Sequence, residues 1–381
     1  MMLDRPVGQE PIRFHAPHMP PSTYDAVASA LGSKHLRAGG RFSRKARALV
    51  GAHVGHDRVF LTNSCTSALE VAALALDLGP EDEIIVPSFT FCATATAFAR
   101  KGARIVLADI DPNTMMVSAE TIAARITNRT RAVVVVHYGG AAARMDGITA
   151  LCAHHGIAVV EDAAQAFGSK QTGRAVGTAG LFAAYSFHET KIISSGHGGA
   201  LVVNSDKPVL RERVEELLAR GTNYPAFARR EVSHYEWTSV SSSFEMPDLN
   251  AALLYGQLKH TREILFKSRA IWAFYEKRLN RLPVTILRPD EATQTNGYSF
   301  AFLCADRSCA RRILEKSEQL GLGLQSHYKP LHLSRFAGQI LAGHCPAASD
   351  SWERLIRLPV HMDLCAEDAG RICDFLTSEL G

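Results

Sequence analysis

The sequence predicts an α/β protein, with a large unit built on a mostly parallel sheet and a smaller α+β unit after it. Three observations carry this prediction. Between positions 58 and 205, short β-branched runs alternate with helical stretches, at the spacing of right-handed βαβ crossovers. The runs are apolar on both faces, as strands sandwiched between helices must be. After 205 the texture changes to charged helical segments and isolated short runs.

Taken in order, RVFLT reads as a strand that leads into the helical TSALEVAALALDL, and EIIVP as a strand before the helical FCATATAFARK. RIVLAD and AVVVVH are further strands, MDGITALCAHHG is a helix, and IAVVED is a strand ending in two acids. A charged amphipathic helix follows around 206–220, and a polar segment spans 222–243. One long helical pattern, a connector, runs from Asp248 to Arg281. YSFAFLC, the helix SCARRILEKSEQLG, the short run LGLQSHY and a final helix near 366–380 complete the smaller unit. The boundary is placed so that 1–249 form the large unit with its N-terminal segment and 250–381 the small one.

A chain of 381 residues, 46% hydrophobic and 21% charged, buries a substantial core and is neither collagen-like, disordered nor coiled coil. Its 42 basic and 38 acidic residues lie without a Lys/Arg run, which gives no electrostatic footprint for nucleic acid or an anionic membrane surface. The N-terminal MMLDRPVGQEPIRFHAP holds no apolar core of signal-peptide length, and no stretch approaches 18 apolar residues; a cytoplasmic protein is expected. Eight cysteines without a C-x-x-C pattern read as reduced thiols.

Three segments carry candidate chemistry. RVFLT runs into Asn63, Ser64, Cys65, Thr66 and Ser67 and then a helix. The free amides of such a helix start, with the helix dipole, form a phosphate site; taken alone, simple capping is the plainer explanation. IAVVED places Glu161 and Asp162 at the carboxyl edge of the sheet, where ligands of open α/β folds bind. Alternation lets only one of the two face a given pocket. Lys191 follows in YSFHETK, among small and apolar residues and before SSGHGG. Burial there is expected to lower its pKa and free the amine for a Schiff base, and the glycines let backbone approach a bound cofactor closely.

Other patterns remain incomplete. His53-x-x-His56, His154-His155 and His327 with His332 lack the further ligands of a metal set, so no metal is expected. The chain lacks a G-x-S-x-G elbow, a P-loop and a G-x-G-x-x-G turn, which argues against hydrolase, NTPase and nicotinamide oxidoreductase readings.

TNSCTSALE, VPSFTFCATATAF, VEDAAQAFGS, YSFHETK and GHGGAL, in that order and spacing, resemble the DegT-type sugar-nucleotide aminotransferases, which are fold-type-I pyridoxal phosphate enzymes. The resemblance runs from about Phe14 to the C-terminus. SFHETK, LTNSCTSALE, RGTN, HYKPLH and the late RLP are most similar to the dTDP-4-amino-4,6-dideoxygalactose transaminases of that family.

The resemblance implies roles. Lys191 would hold the cofactor covalently and shuttle the proton, and Asp162 would pair with the pyridine nitrogen. Phe91 would stack on the ring, with Gln165 beside its 3-hydroxyl and Ser64, Cys65 and Ser186 on the phosphate. Ser243 occupies the position from which the neighbouring subunit closes the phosphate site, where many relatives carry Asn, so the active site would belong to a homodimer. Arg220, Arg229 and Arg230 are candidates for the sugar nucleotide's diphosphate, with His327 and Tyr328 as further substrate contacts.

The implied reaction moves the amino group of L-glutamate to C4 of dTDP-4-keto-6-deoxyglucose. Rival readings are amination at C3 or to the epimeric amine, a ketosugar dehydratase, against which Lys191 argues because those relatives carry His there, and a non-catalytic sugar-nucleotide sensor on the same fold.

Overall fold

A computed structural model describes residues 10–339 and 343–381; the N-terminal stretch used above to expect no leader lies partly outside them. The chain forms α1 (Pro21–Ser33) and α2 (Arg41–Val54) and then alternates through β1 (Val59–Thr62), α3 (Cys65–Ala75), β2 (Glu83–Pro87), α4 (Cys92–Ala99) and β3 (Arg104–Ala108). It continues through α5 (Ala119–Ala123), β4 (Thr130–Val136), α6 (Met145–His154) and β5 (Ala158–Asp162). Two short strands, β6 (Lys170–Gln171) and β7 (Arg174–Ala175), precede β8 (Phe182–Ser186) and β9 (Gly199–Val203). Then come α7 (Pro208–Leu218), α8 (Tyr224–Ala228), α9 (Asp248–Leu258) and α10 (Thr261–Leu279). The last part holds β10 (Thr285–Ile286), β11 (Thr293–Gln294), β12 (Phe300–Leu303), α11 (Arg307–Leu320), α12 (Pro346–Arg354), β13 (Leu355–Leu358) and α13 (Ala366–Leu380).

Seven strands make the main sheet, in the order β1-β9-β8-β5-β4-β2-β3. The expected mostly parallel sheet is present: β8, β5, β4, β2 and β3 pair in parallel. β9 is the exception, antiparallel to both β8 and β1. Both faces are covered. Phe182, Ala184, Leu201 and Val203 enter the core under α3, α4 and α7, while Ala183, Tyr185, Ala200 and Val202 enter the core under α1, α2 and α9. This is the period-two division of a two-faced strand. A third core gathers α10, α11 and α13 on the three-stranded sheet β10-β12-β13.

The expected single helix from Asp248 to Arg281 is two helices. Thr261 Oγ1 takes the Leu258 carbonyl at 2.7 Å, a local side-chain bond that competes with the helical ladder. His260 turns to Ser22 at 3.0 Å. LGLQSHY forms a single bridge between Gln325 and Arg357 rather than a strand; Gly321 and Gly323 both adopt positive φ there. We propose that the change of unit falls between α9 and α10 rather than at 249/250, because α9 packs on α1 and α2. Gly256 permits that contact: a Cβ there would lie 2.6 Å from Thr23 Oγ1. Among the described residues no helix is long and apolar enough to cross a membrane, and all eight cysteines are free thiols.

Candidate active site

The C-terminal ends of β1, β4, β5 and β8 converge on a cavity of about 450 Å³, as the architecture of open α/β sheets leads one to expect. Lys191 enters from the hairpin between β8 and β9. Backbone bonds tie its stem, Phe187 N to Gly198 O and Ser195 N to Phe187 O, both 2.8 Å. Two contacts from α9 hold its tip: Gln257 Oε1, buried, accepts from Ser194 N at 2.8 Å, and Asn250 Nδ2 donates to Ser195 O at 3.1 Å. Ser186 and His197 also line the cavity.

Lys191 Nζ donates to Tyr298 Oη at 3.5 Å. Burial would lower its pKa, but Tyr298, Tyr328 and Cys65 face it and hold the balance above the ordinary lysine value. This corrects the expectation of an amine depressed by burial. The Cys65 thiol is pushed well up by burial and by Asp162.

The two acids at the end of β5 divide as alternation requires. Asp162 lines the cavity; its Oδ2 accepts from Thr94 Oγ1 at 2.8 Å and its Oδ1 from Ala164 N at 3.1 Å. Burial pushes its carboxyl above the usual range despite those bonds and nearby Lys191. Glu161 faces away and accepts from His137 Nε2 at 2.9 Å and from the amides of Gly177, Ala179 and Gly180 at 3.0, 2.8 and 2.6 Å. Burial would raise it, but His137 and those amides hold it below the ordinary value. Its role is to anchor the turn before β8.

Ser64 caps α3, accepting from Ser67 N at 3.0 Å, so the plainer capping explanation is correct for its side chain. Capping does not take the helix start out of the site, because Ser64, Cys65 and Thr66 also line the cavity. Gly199 sets the shape of this corner: a Cβ there would fall 2.5 Å from Cys65 N and from the Ser64 carbonyl carbon. Only glycine lets β9 lie directly against the start of α3.

Phe91 caps α4 at the rim, 57% exposed. Its ring lies 6.0 Å from that of Tyr328. Gln165 accepts from Gly139 N at 2.7 Å and donates to Tyr328 Oη at 2.8 Å. His327 stacks on Tyr328 at 3.9 Å; burial and then Arg357 hold it neutral.

Sequence reasoning assigned no role to Thr94, Tyr298 or Arg357, although VPSFTFCATATAF, YSFAFLC and the late RLP contain them. Arg357 is 2% exposed and lines the cavity. It meets His327 Nε2, Ser299 Oγ at 3.0 Å and the Phe14 ring at 4.8 Å, with no carboxylate partner among the described residues.

Four candidates lie away from this chain's cavity wall. Arg229 pairs with Glu215 at 2.7 Å and Glu231 at 2.8 Å, Arg220 stands 3.8 Å from Glu245, and Arg230 is exposed. Ser243 gives its carbonyl to Asn63 Nδ2 at 2.9 Å.

The family described as DegT/DnrJ/EryC1/StrS aminotransferase matches residues 19–377. Among solved structures, an aminotransferase, TlmJ from Streptoalloteichus hindustanus, is 29% identical with a TM-score of 0.89, over 97% of this chain and 98% of its own. PseC from Helicobacter pylori, described as an aminotransferase involved in the biosynthesis of pseudoaminic acid, is 25% identical with a TM-score of 0.90, over 97% and 99%. Spr1654 from Streptococcus pneumoniae, solved in PMP and PLP forms, is 22% identical in its PMP form with a TM-score of 0.91, over 97% and 98%, a likeness of fold.

Proposed function

This chain belongs to the DegT/DnrJ/EryC1/StrS aminotransferase family, and from that premise we propose that it transfers the amino group of L-glutamate to C4 of dTDP-4-keto-6-deoxy-D-glucose. The products are dTDP-4-amino-4,6-dideoxygalactose and 2-oxoglutarate. It is an aminotransferase that depends on pyridoxal 5′-phosphate. The observation that carries the reading is the meeting of a lysine amine, a buried carboxylate and a helix N-terminus in one cavity.

These residues fit the cofactor. The N-terminus of α3 at Ser64, Cys65 and Thr66 faces the cavity, where a phosphate needs donors, and Asp162 offers a buried carboxylate to a ring nitrogen. When bound, pyridoxal phosphate supplies an electron sink that lets the donor's α-proton leave. Lys191 would hold it through Nζ and then carry that proton on the same atom. Asp162 would keep the ring nitrogen protonated. Ser64, Cys65 and Ser186 would hold the phosphate, Phe91 would cover the ring, and Gln165 would sit beside its hydroxyl.

Arg357 adds a seat for the donor. A buried guanidinium without an acidic partner favours a carboxylate in bidentate geometry, and α-amino acids bring one next to the reacting carbon. His327 and Tyr328 would border the sugar. The C4 assignment is supported by the similarity of SFHETK, HYKPLH and RLP to the dTDP-4-amino-4,6-dideoxygalactose transaminases.

A homodimer completes the site: Ser243, Arg220, Arg229 and Arg230 would serve the partner's cavity. Exposed Tyr224, Phe227, Tyr235 and Trp237 supply aromatic surface on the same segment, of the kind enriched at interfaces.

The test is the visible absorption of the protein loaded with pyridoxal phosphate, followed as L-glutamate and then dTDP-4-keto-6-deoxyglucose are added. Loss of the cofactor band with glutamate and its return with the sugar are expected. A band that responds to glutamate but never to this sugar overturns the substrate assignment.

A further inference from the structure

We propose that Tyr298 is a positioning residue for the Lys191 amine, holding Nζ in both its protonated and its neutral state. This inference rests on the reading of Lys191 given above and goes beyond it, since nothing in the resemblance assigns Tyr298 a role.

The mount of Tyr298 is built rather than incidental. Asn296, fully buried, spends its whole carboxamide on the placement: Nδ2 donates to Gln165 O at 2.8 Å and Phe167 O at 2.9 Å, and Oδ1 accepts from Tyr298 N at 2.8 Å. Gly297 takes positive φ, and a Cβ there would lie 2.7 Å from the backbone carbon of Ser268. Gly140 clears the other side, where a Cβ would stand 3.2 Å from Tyr298 Cβ. The phenol is thereby aimed at Lys191, whose only hydrogen-bond partner for Nζ among the described residues is Tyr298 Oη.

A phenol suits this task because its oxygen accepts from an ammonium and its proton can be given to a neutral amine. A carboxylate could do only the first. The lysine of this reaction alternates between those states, so a partner with one polarity would lose it for half of each cycle. Arg357 also stands beside the phenol, its guanidinium 5.8 Å from the ring centroid. Burial would raise the Tyr298 pKa, but Lys191 and Arg357 hold it below the ordinary tyrosine value. The other titratable groups that face Lys191 are Cys65 from α3, Asp162 from β5, His188 from its own hairpin, and His327 and Tyr328 from the loop after α11. None of these bonds to Nζ.

The test is Tyr298→Phe in the full-length protein, which keeps the ring and removes the hydroxyl. On the cofactor-free protein, competitive labelling by acetic anhydride across pH reads the Lys191 titration by peptide mass. Loss of the phenol oxygen, which favours the ammonium, is expected to move that titration to lower pH. In the loaded enzyme kcat is expected to fall about 10- to 100-fold, up to the lower end of the range for a proton-transferring group itself, with KM for the sugar unchanged. A melting curve that matches the parent shows that the fold is kept. An unmoved titration, or a shift to higher pH, overturns the inference. Lys191→Ala separates this from the parent reading: covalent capture of pyridoxal phosphate by Lys191→Ala would overturn both. Loss of capture in Lys191→Ala with an unmoved titration in Tyr298→Phe overturns this inference alone.

Discussion

Thr94 supports Asp162 from outside the reacting groups, and Thr94→Val isolates the carboxylate's charge from every other feature of the cavity. Valine keeps the size and branching of a side chain that is 1% exposed. What it removes is the Thr94 Oγ1 bond to Asp162 Oδ2 at 2.8 Å, leaving the Ala164 amide at 3.1 Å. A hydrogen bond to a charged acceptor contributes about 1.5–3 kcal/mol. Since 1.36 kcal/mol is one pKa unit, its loss lifts Asp162 by about 1–2 units, on top of the rise that burial already imposes. The carboxylate can hold a protonated ring nitrogen only when ionised, so cofactor affinity strengthens as pH rises through the Asp162 pKa. The variant moves that rise to higher pH. Below both transitions, affinity for pyridoxal phosphate is expected to be about 10- to 100-fold lower than the parent's, the gap closing between them and vanishing above both. Titration of cofactor-free protein across the acidic to neutral range measures this. A variant profile that superimposes on the parent's would refute the reasoning, because Asp162 would then not carry the pH dependence of binding. Thr90 Oγ1 loses its 2.8 Å contact with Thr94 in the same variant, so melting is read separately.

Other predictions follow from particular contacts. Gly199→Ala drives a Cβ into the start of α3, which should cost about 1–3 kcal/mol of stability by overpacking; it should weaken pyridoxal phosphate far more than phosphate-free pyridoxal, as paired binding titrations would show. Arg357→Gln should raise the half-saturating concentration of L-glutamate about 10- to 100-fold, the worth of a charged hydrogen bond, with that of the sugar unchanged; equal effects on both substrates would remove Arg357 from the donor's seat. Glu161→Gln leaves an amide facing buried N–H donors and should cost about 2–4 kcal/mol, read by thermal or urea unfolding. Glu161 titrates below its unfolded value, so its contribution is present above the ordinary carboxylate pKa and is lost as pH falls through the depressed one. The variant's stability should accordingly vary less with acid.

The sheet was legible because its information is local: AVVVVH and IAVVED are strands wherever both faces are covered. Lys191 and Asp162 were legible as ordered motifs, and the choice between Glu161 and Asp162 needed only alternation plus a partner for each. Tyr298 and Arg357 were not legible. They reach the cavity from 107 and 166 positions beyond Lys191, through a turn set by Asn296 and Gly297 and a strand in another sheet, and nothing near either residue in sequence signals a contact with Lys191. The helices before β1 were missed for a different reason. α1 has no side-chain cap and leaves Tyr24 and Leu31 exposed, so its apolar face is defined only once α9 lies against it. The break at His260 depends on Thr261 bonding back to Leu258, an alternative to the helical ladder that a helical pattern of apolar residues does not register.

β9 enters the sheet between β1 and β8 after more than a hundred residues of intervening chain, and this bears on the order in which the protein matures. While the chain is being synthesised, β1 and α3 emerge early but β1 has no strand to pair with; the strand that joins it to the rest of the sheet also carries Gly199, one wall of the corner at the start of α3. A nascent chain that stops short of residue 199 thus owns the helix and its open amides without the surface that gives them a shape. The long loop must close first, at an entropic cost that grows slowly with length. Capture of a phosphate at the proposed site would therefore be a late event, coupled to insertion of the one antiparallel strand, and ligand present during refolding should act on the last step rather than on the collapse that precedes it.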